Sequence, residues 1–139
     1  MKATGIIRRI DELGRVVIPK EIRKNLHIRE GDPLELFVEE NGVCFQKYNR
    51  YGEADWNKAK KILSALITPF ALLDGYGDCV KSAGIKVQNE EEARSRKDVT
   101  IRHITSRGES LAYLVVSTEC NESTASQAEN VLRRFLEEE

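Results

Sequence analysis

What most limits how this chain can fold is the punctuation of its first 50 residues. The DELG stretch at 11–14, Pro19, the EGDP stretch at 30–33 and the Asn41–Gly42 pair cut that segment into short pieces. The pieces between the cuts are rich in β-branched and aliphatic side chains. Residues 3–10 (ATGIIRRI) and 15–18 (RVVI) are expected as strands, joined by a turn in which Gly14 takes positive φ. Pro19 suits the first position of a helix, where its missing N–H costs nothing. Ile22 and Leu26, four apart, share one face of that helix of barely two turns. Residues 34–39 alternate Leu34, Leu36, Val38 against Glu35, Phe37, Glu39, the pattern of a half-buried strand. Asn41–Gly42 turns the chain back through a strand at 43–48.

The expected order is therefore β–β–α–β–β. A core of about fifty residues built from such short elements is marginal by itself. The segment is expected to close its core against the downstream half or, more naturally, against a second copy of itself in a homodimer.

The polar stretch 49–53 (NRYGE) marks a boundary, and the expected domains are 1–50 and 53–139. Beyond it, Trp56, Ala59, Ile62, Leu63 and Leu66 follow helical spacing, and Pro69 stops that helix. Strands are expected at 70–73 and 79–80 around the DGYGD turn, and at 99–105 and 111–117 around SRGES. A charged loop at 88–98 lies between the two pairs. Thr124 and Gln127 have capping-box spacing, and Ala128, Val131, Leu132, Phe135 and Leu136 form the stripe of a last helix. The fold class is α+β, with an antiparallel sheet and helices in the second half.

Charge separates the parts further. The net charge of the 139 residues is −1, yet residues 1–29 hold eight cations against three anions. Residues 30–50 hold two cations against five anions, and the remainder is again net negative. A basic first segment in a nearly neutral chain points to an anionic partner for that segment.

Several function classes are excluded. The most apolar run, residues 62–73, is interrupted by Ser64, Thr68 and Pro69 and is too short for a bilayer. The N-terminal MKATGIIRRIDEL has no apolar core of a signal peptide. Cys44, Cys79 and Cys120 are odd in number and widely spaced, which argues against disulfides and zinc and for a reducing cytoplasm. No phosphate loop, HExxH or GxSxG motif occurs, so neither enzyme, metal nor cofactor is expected. His27 reads as a helix-end cap and His103 as a satisfied strand residue.

What remains is the basic segment. Arginines on turns and on a short helix suit phosphate oxygens and guanine edges. Arg23 and Lys24 lie away from the Ile22/Leu26 face and are expected to be exposed. Arg8 and Arg9 fall on opposite parities, so periodicity leaves open which of them faces out.

Residues 2–48, and above all TGIIRRIDELGRVVIPKEIRKNL, resemble the AbrB/SpoVT-type transcription regulators, a family that includes the DNA-binding halves of MazE-like antitoxins. The resemblance implies a swapped-hairpin β-barrel in which two chains interleave into one dimeric unit that binds duplex DNA. It also implies DNA-contacting roles for Arg8, Arg15, Arg23 and Lys24, with Arg9 and Lys20 beside them. The family usually has two arginines where this chain has Arg23–Lys24. Lysine keeps the charge but lacks the planar fork, so Lys24 suits phosphate rather than a base edge. Asp11 and Glu12, in the turn beside Arg8 and Arg15, are expected to orient them.

Residues 53–139 resemble, more weakly, the GAF- or PAS-like sensor domain of SpoVT-type members, shortened in its middle. The implied function is a nucleoid-associated regulator of transition-state or sporulation type, a homodimer or homotetramer. The alternatives are an antitoxin, or a regulator that senses a small-molecule effector through its second half.

Overall fold

The computed structural model describes residues 2–138. Met1 and Glu139, the outermost residues of the two expected domains, lie outside the described residues. The chain divides into two compact units, Met1–Tyr48 and Asn49–Glu139.

The first unit contains helix α1 (Lys20–Asn25) and the strands β1 (Leu34–Glu39) and β2 (Gly42–Lys47). β1 and β2 form an antiparallel ladder in which Leu36 faces Phe45 and Glu39 faces Gly42. The loop is therefore Glu40–Asn41, one residue earlier than the expected Asn41–Gly42, and neither loop residue takes positive φ. α1 begins after Pro19, which serves as its N-cap rather than its first turn. The helix ends in a Schellman motif. The Ile28 N–H donates to the Arg23 carbonyl (2.8 Å) and the His27 N–H to that of Lys24 (3.3 Å), with His27 at φ 56°. His27 thus stands at the helix end in the left-handed backbone conformation.

Two expectations for this unit need correction. Residues 3–10 and 15–18 form no strand; they run without ladder partners through the described residues. The alternation in β1 does not produce burial either, since only Leu34 is even partly covered. The cause is common to both. One hairpin and one six-residue helix offer too little surface to cover the apolar side chains of the unit. No described residue of this unit is buried, and every large hydrophobic that is exposed lies between Ile6 and Tyr48, Ile7 at 84% and Val38 at 81% being the extremes.

The second unit is built oppositely. Its elements are α2 (Glu53–Ser64), β3 (Phe70–Asp74), β4 (Cys79–Ala83), α3 (Glu90–Ser95), β5 (Val99–Ser106), β6 (Glu109–Ser117) and α4 (Glu122–Glu138). The strands form one antiparallel sheet in the order β4-β3-β6-β5. The central strands are apolar on both faces because both faces are covered. Phe70, Leu72, Leu114 and Val116 pack under Trp56, Ala59 and Leu63 of α2 and Ala125, Ala128, Leu132 and Leu136 of α4. On the reverse face Ala71, Leu73, Tyr113 and Val115 pack against Ile85, Val87 and Ala93. The β5–β6 loop is Arg107–Gly108, both at positive φ (52° and 80°), the type I′ geometry that matches strand twist.

The expected loop at 88–98 contains α3. Asn89 caps it by accepting from the Glu92 N–H at 2.8 Å, and Glu90, Glu91 and Glu92 occupy the first turn, where the helix dipole favours acids. Only Ala93 is buried, and the four charged residues Glu90, Glu91, Glu92 and Arg94 carry no amphipathic stripe by which the helix could be read. α4 starts earlier than the Thr124 cap implied. The Asn121 carboxamide accepts from the Ser123 N–H (2.7 Å) and its carbonyl from the Ala125 N–H (2.9 Å), which places Thr124 inside the helix.

The boundary stretch is anchored to the second unit. Tyr51 is buried, meets Trp56 edge-on at 5.4 Å, and donates its hydroxyl to the Leu136 carbonyl at 2.7 Å near the end of α4. Burial pushes the Tyr51 phenol pKa up, so the hydroxyl keeps its proton at neutral pH. Tyr51→Phe removes one buried hydrogen bond while keeping the ring. The expected cost is about 1 kcal/mol of second-unit stability, read as a lower midpoint with unchanged slope in urea denaturation.

Candidate nucleic-acid interface

The DELG turn is closed by its own residues. The Gly14 N–H donates to the Asp11 carbonyl at 3.0 Å, and the Asp11 N–H to the Arg15 carbonyl at 3.0 Å. Gly14 sits at φ 80°, a conformation that side chains rarely adopt, so the turn needs glycine there although the space around it is open. The Asp11 carboxylate then knits the turn internally. One oxygen accepts from the N–H groups of Leu13 (2.9 Å) and Arg15 (2.8 Å). The other accepts from Nε of Arg15 at 2.8 Å. These bonds from Arg15 hold the Asp11 carboxyl below its ordinary pKa. A lowered carboxyl pKa means that the linkage is complete above the ordinary carboxylate range and is lost only as pH falls through the lowered value. The turn is therefore fully formed at neutral pH. Glu12 makes no such bond among the described residues.

Arg15 remains largely exposed, its side chain 72% accessible, with Nε engaged and its two terminal nitrogens making no bond among the described residues. Lys20, Arg23 and Lys24 stand at i, i+3 and i+4 on α1 and so share one face, away from the partly covered Ile22. Arg23 and Lys24 also occupy the last turn, where the helix dipole favours cations. All of these side chains are exposed, as expected for Arg23 and Lys24 from helical geometry. Arg8 and Arg9 are both exposed because their segment has no strand partner, so parity does not separate them. The Arg8 guanidinium donates to the neighbouring Ile7 carbonyl at 3.0 Å. Six cations thus line one exposed segment, two of them before the turn, one closing it and three on the helix.

Residues 7–50 match the family model described as "Antidote-toxin recognition MazE, bacterial antitoxin". Over 54 residues, 38% of this chain and 30% of the relative, the sequence is 68% identical to stage V sporulation protein T of Bacillus subtilis (strain 168). Over 48 residues it is 54% identical to the transition state regulatory protein AbrB of the same organism, 34% of this chain and 50% of the relative. The first unit is an AbrB/SpoVT-type domain of the MazE class. A solved structure described as "DNA bound structure of the N-terminal domain of AbrB" is 50% identical across 37% of this chain and 94% of its own, with a TM-score of 0.32. This chain spans half or less of the length of the two regulators.

Outside that domain the polar groups are occupied structurally. In the DGYGD turn one Asp74 carboxylate oxygen accepts from the N–H groups of Tyr76 (2.9 Å) and Asp78 (3.0 Å), so the turn is held by an acid and offers no phosphate cradle. His103 stacks on Tyr113 at 4.1 Å, and its Nε2 lies 2.7 Å from the Ser110 hydroxyl. That hydroxyl donates to the Gly75 carbonyl at 2.8 Å, which commits its proton away from the imidazole. Ser110 and His103 therefore form a hairpin brace and not a nucleophile–base pair. No helix among the described residues is long and apolar enough to cross a membrane.

Proposed function

We propose that the chain is a cytoplasmic, non-enzymatic transcription regulator of transition-state or sporulation type that binds duplex DNA as a homodimer through its AbrB/SpoVT-type domain. The observation that carries this reading is the pairing of six exposed cations with an apolar surface that one chain leaves uncovered. In the dimer, residues 3–10 and 15–18 of each chain find their ladder partners in the other, and the swapped hairpins close one barrel around Ile7, Ile10, Val16 and Val17. The cations then lie on the rim of a rigid body. Arg8, Arg15 and Arg23 meet phosphates and base edges, Lys24 meets phosphate, and Arg9 and Lys20 add field. The 54% identity over 48 residues to the transition state regulatory protein AbrB supports this reading.

The second unit fits a shortened GAF-like sheet. Its reverse face is occupied by Ile85, Val87 and Ala93, and none of its described residues is an exposed large hydrophobic. Both features favour a self-contained attachment over a ligand sensor or a tetramerisation surface, and the folded unit disfavours the antitoxin reading, which calls for an extended arm. The test is Arg15→Ala in the full chain. Its expected result is weaker binding to every duplex by about tenfold or more with the sedimentation coefficient of the dimer unchanged. Unaltered duplex affinity removes Arg15 from the interface, and a monomer in the wild type removes the shared barrel.

A further inference from the structure

We propose that Asp11 is the positioning residue for sequence preference: by gripping Nε of Arg15 it aims the guanidinium's outer edge at a guanine, so that an acid in a DNA-facing surface strengthens selective binding. The inference rests on the reading of this domain as DNA-binding and deepens it at one side chain.

Charge alone predicts the opposite. A carboxylate among six cations repels phosphate, and removing it from both chains of a dimer should tighten binding to any duplex. The geometry of the turn assigns it another task. A guanidinium has five N–H donors in one plane. The Asp11 carboxylate takes the Nε–H, at 2.8 Å, and leaves the paired donors of the terminal nitrogens uncommitted within the described residues. Two parallel donors in a plane match O6 and N7 of guanine in the major groove. The same carboxylate fixes the backbone beneath them by accepting from the Leu13 and Arg15 N–H groups, and Gly14 at φ 80° closes the turn by donating to the Asp11 carbonyl. Arg15 is thus oriented before DNA arrives, and the rotamer freedom of a long exposed side chain is not lost at the moment of binding. The ion pair is too exposed, at 72% and 39%, to serve stability, which leaves orientation as its use. No comparable grip is seen on Arg9, Lys20, Arg23 or Lys24 among the described residues. Those cations supply attraction alone, whereas Arg15 adds choice to its own share of the attraction.

Asp11→Asn separates the two readings. The carboxamide oxygen still accepts from the Leu13 and Arg15 N–H groups, so the turn closes. Its NH2 faces the Nε–H of Arg15, donor against donor, and releases the guanidinium. The experiment uses the full-length chain and a duplex selected by the wild type from a random pool, measured beside a scrambled duplex of equal composition. In Asp11→Asn the preference for the selected duplex is expected to fall by about tenfold or more, while binding to the scrambled duplex is unchanged or tighter. Preference that is kept or raised overturns the proposal in favour of simple charge. In an Arg15→Ala background, adding Asp11→Asn is expected to change the preference no further. A second loss of similar size places Asp11 in the fold of the turn and overturns its action through Arg15. Should Asp11→Asn fail to dimerise, Arg15→Lys keeps charge and turn but lacks the fork, and full preference in that variant is equally fatal. Wild-type protein that binds no duplex brings down the DNA-binding reading itself, and the role of Asp11 with it.

Discussion

Raising monovalent salt from 50 to 200 mM is expected to weaken duplex binding by the full chain about ten-thousandfold. Arg8, Arg15, Arg23 and Lys24 from two chains can neutralise up to about eight phosphates, and each phosphate contributes about −0.9 to the slope of log affinity against log salt. The slope is then roughly −7, and a fourfold rise in salt costs about four decades. This is the largest effect expected of the molecule, because the sequence-independent affinity of an exposed cationic rim comes from released counterions. Anisotropy titrations of a labelled duplex across salt read the slope directly. A flat response would mean that these side chains do not face the backbone. Only Arg15 among them is tied to an anion within the domain, so the other cations enter the interface with their charge uncompensated.

Phe70→Ala is expected to destabilise the second unit by about 3–5 kcal/mol. Phe70 is the largest side chain that is wholly buried, at the start of β3 in the layer formed with α2 and α4. Truncation loses its transfer energy and leaves a cavity that two helices and a sheet cannot collapse around. A domain of this size commonly has about 5–15 kcal/mol in total, so the melting temperature falls by roughly 15–30 °C. Calorimetry resolves it as a downward shift of one transition. A change under about 1 kcal/mol would show that the layer beneath α2 and α4 is loosely packed. No site in a single copy of the first unit can give a comparable loss, because none of its described side chains is buried within one chain. Its stability, on the proposed reading, belongs to the dimer.

These two results divide the chain as its sequence divides it. Local patterns that need only near neighbours were legible: the extended stretch at residues 34–39, the helical spacing of Trp56, Ala59 and Leu63, the turn at Gly14 and the concentration of cations before residue 30. The family, too, was readable from one uninterrupted stretch, because Arg8, Arg15, Arg23 and Lys24 lie on a contiguous motif rather than on distant elements.

Features that depend on competing local options were not legible. Asn121 preceded Thr124 as the cap of α4 because its carboxamide reaches the first free N–H groups earlier. α3 was not legible because an N-cap and one buried alanine can hold a six-residue helix whose four charged residues show no stripe. The grip of Asp11 on Arg15 was visible only as two opposite charges four residues apart; the turn decides that they meet at Nε.

The sequence by itself determined where the chain is basic, where it turns, which segment belongs to an AbrB/SpoVT-type domain and that a core of about fifty short-element residues is marginal by itself. Only the tertiary structure decided that residues 3–18 stand without ladder partners in a single chain, whereas residues 70–73 and 111–116 are sealed on both faces. The reason is that burial is a property of what lies across from a side chain. β3 and β6 meet helices on one face and Ile85, Val87 and Ala93 on the other, all within their own unit, whereas Ile7 and Val17 meet nothing there.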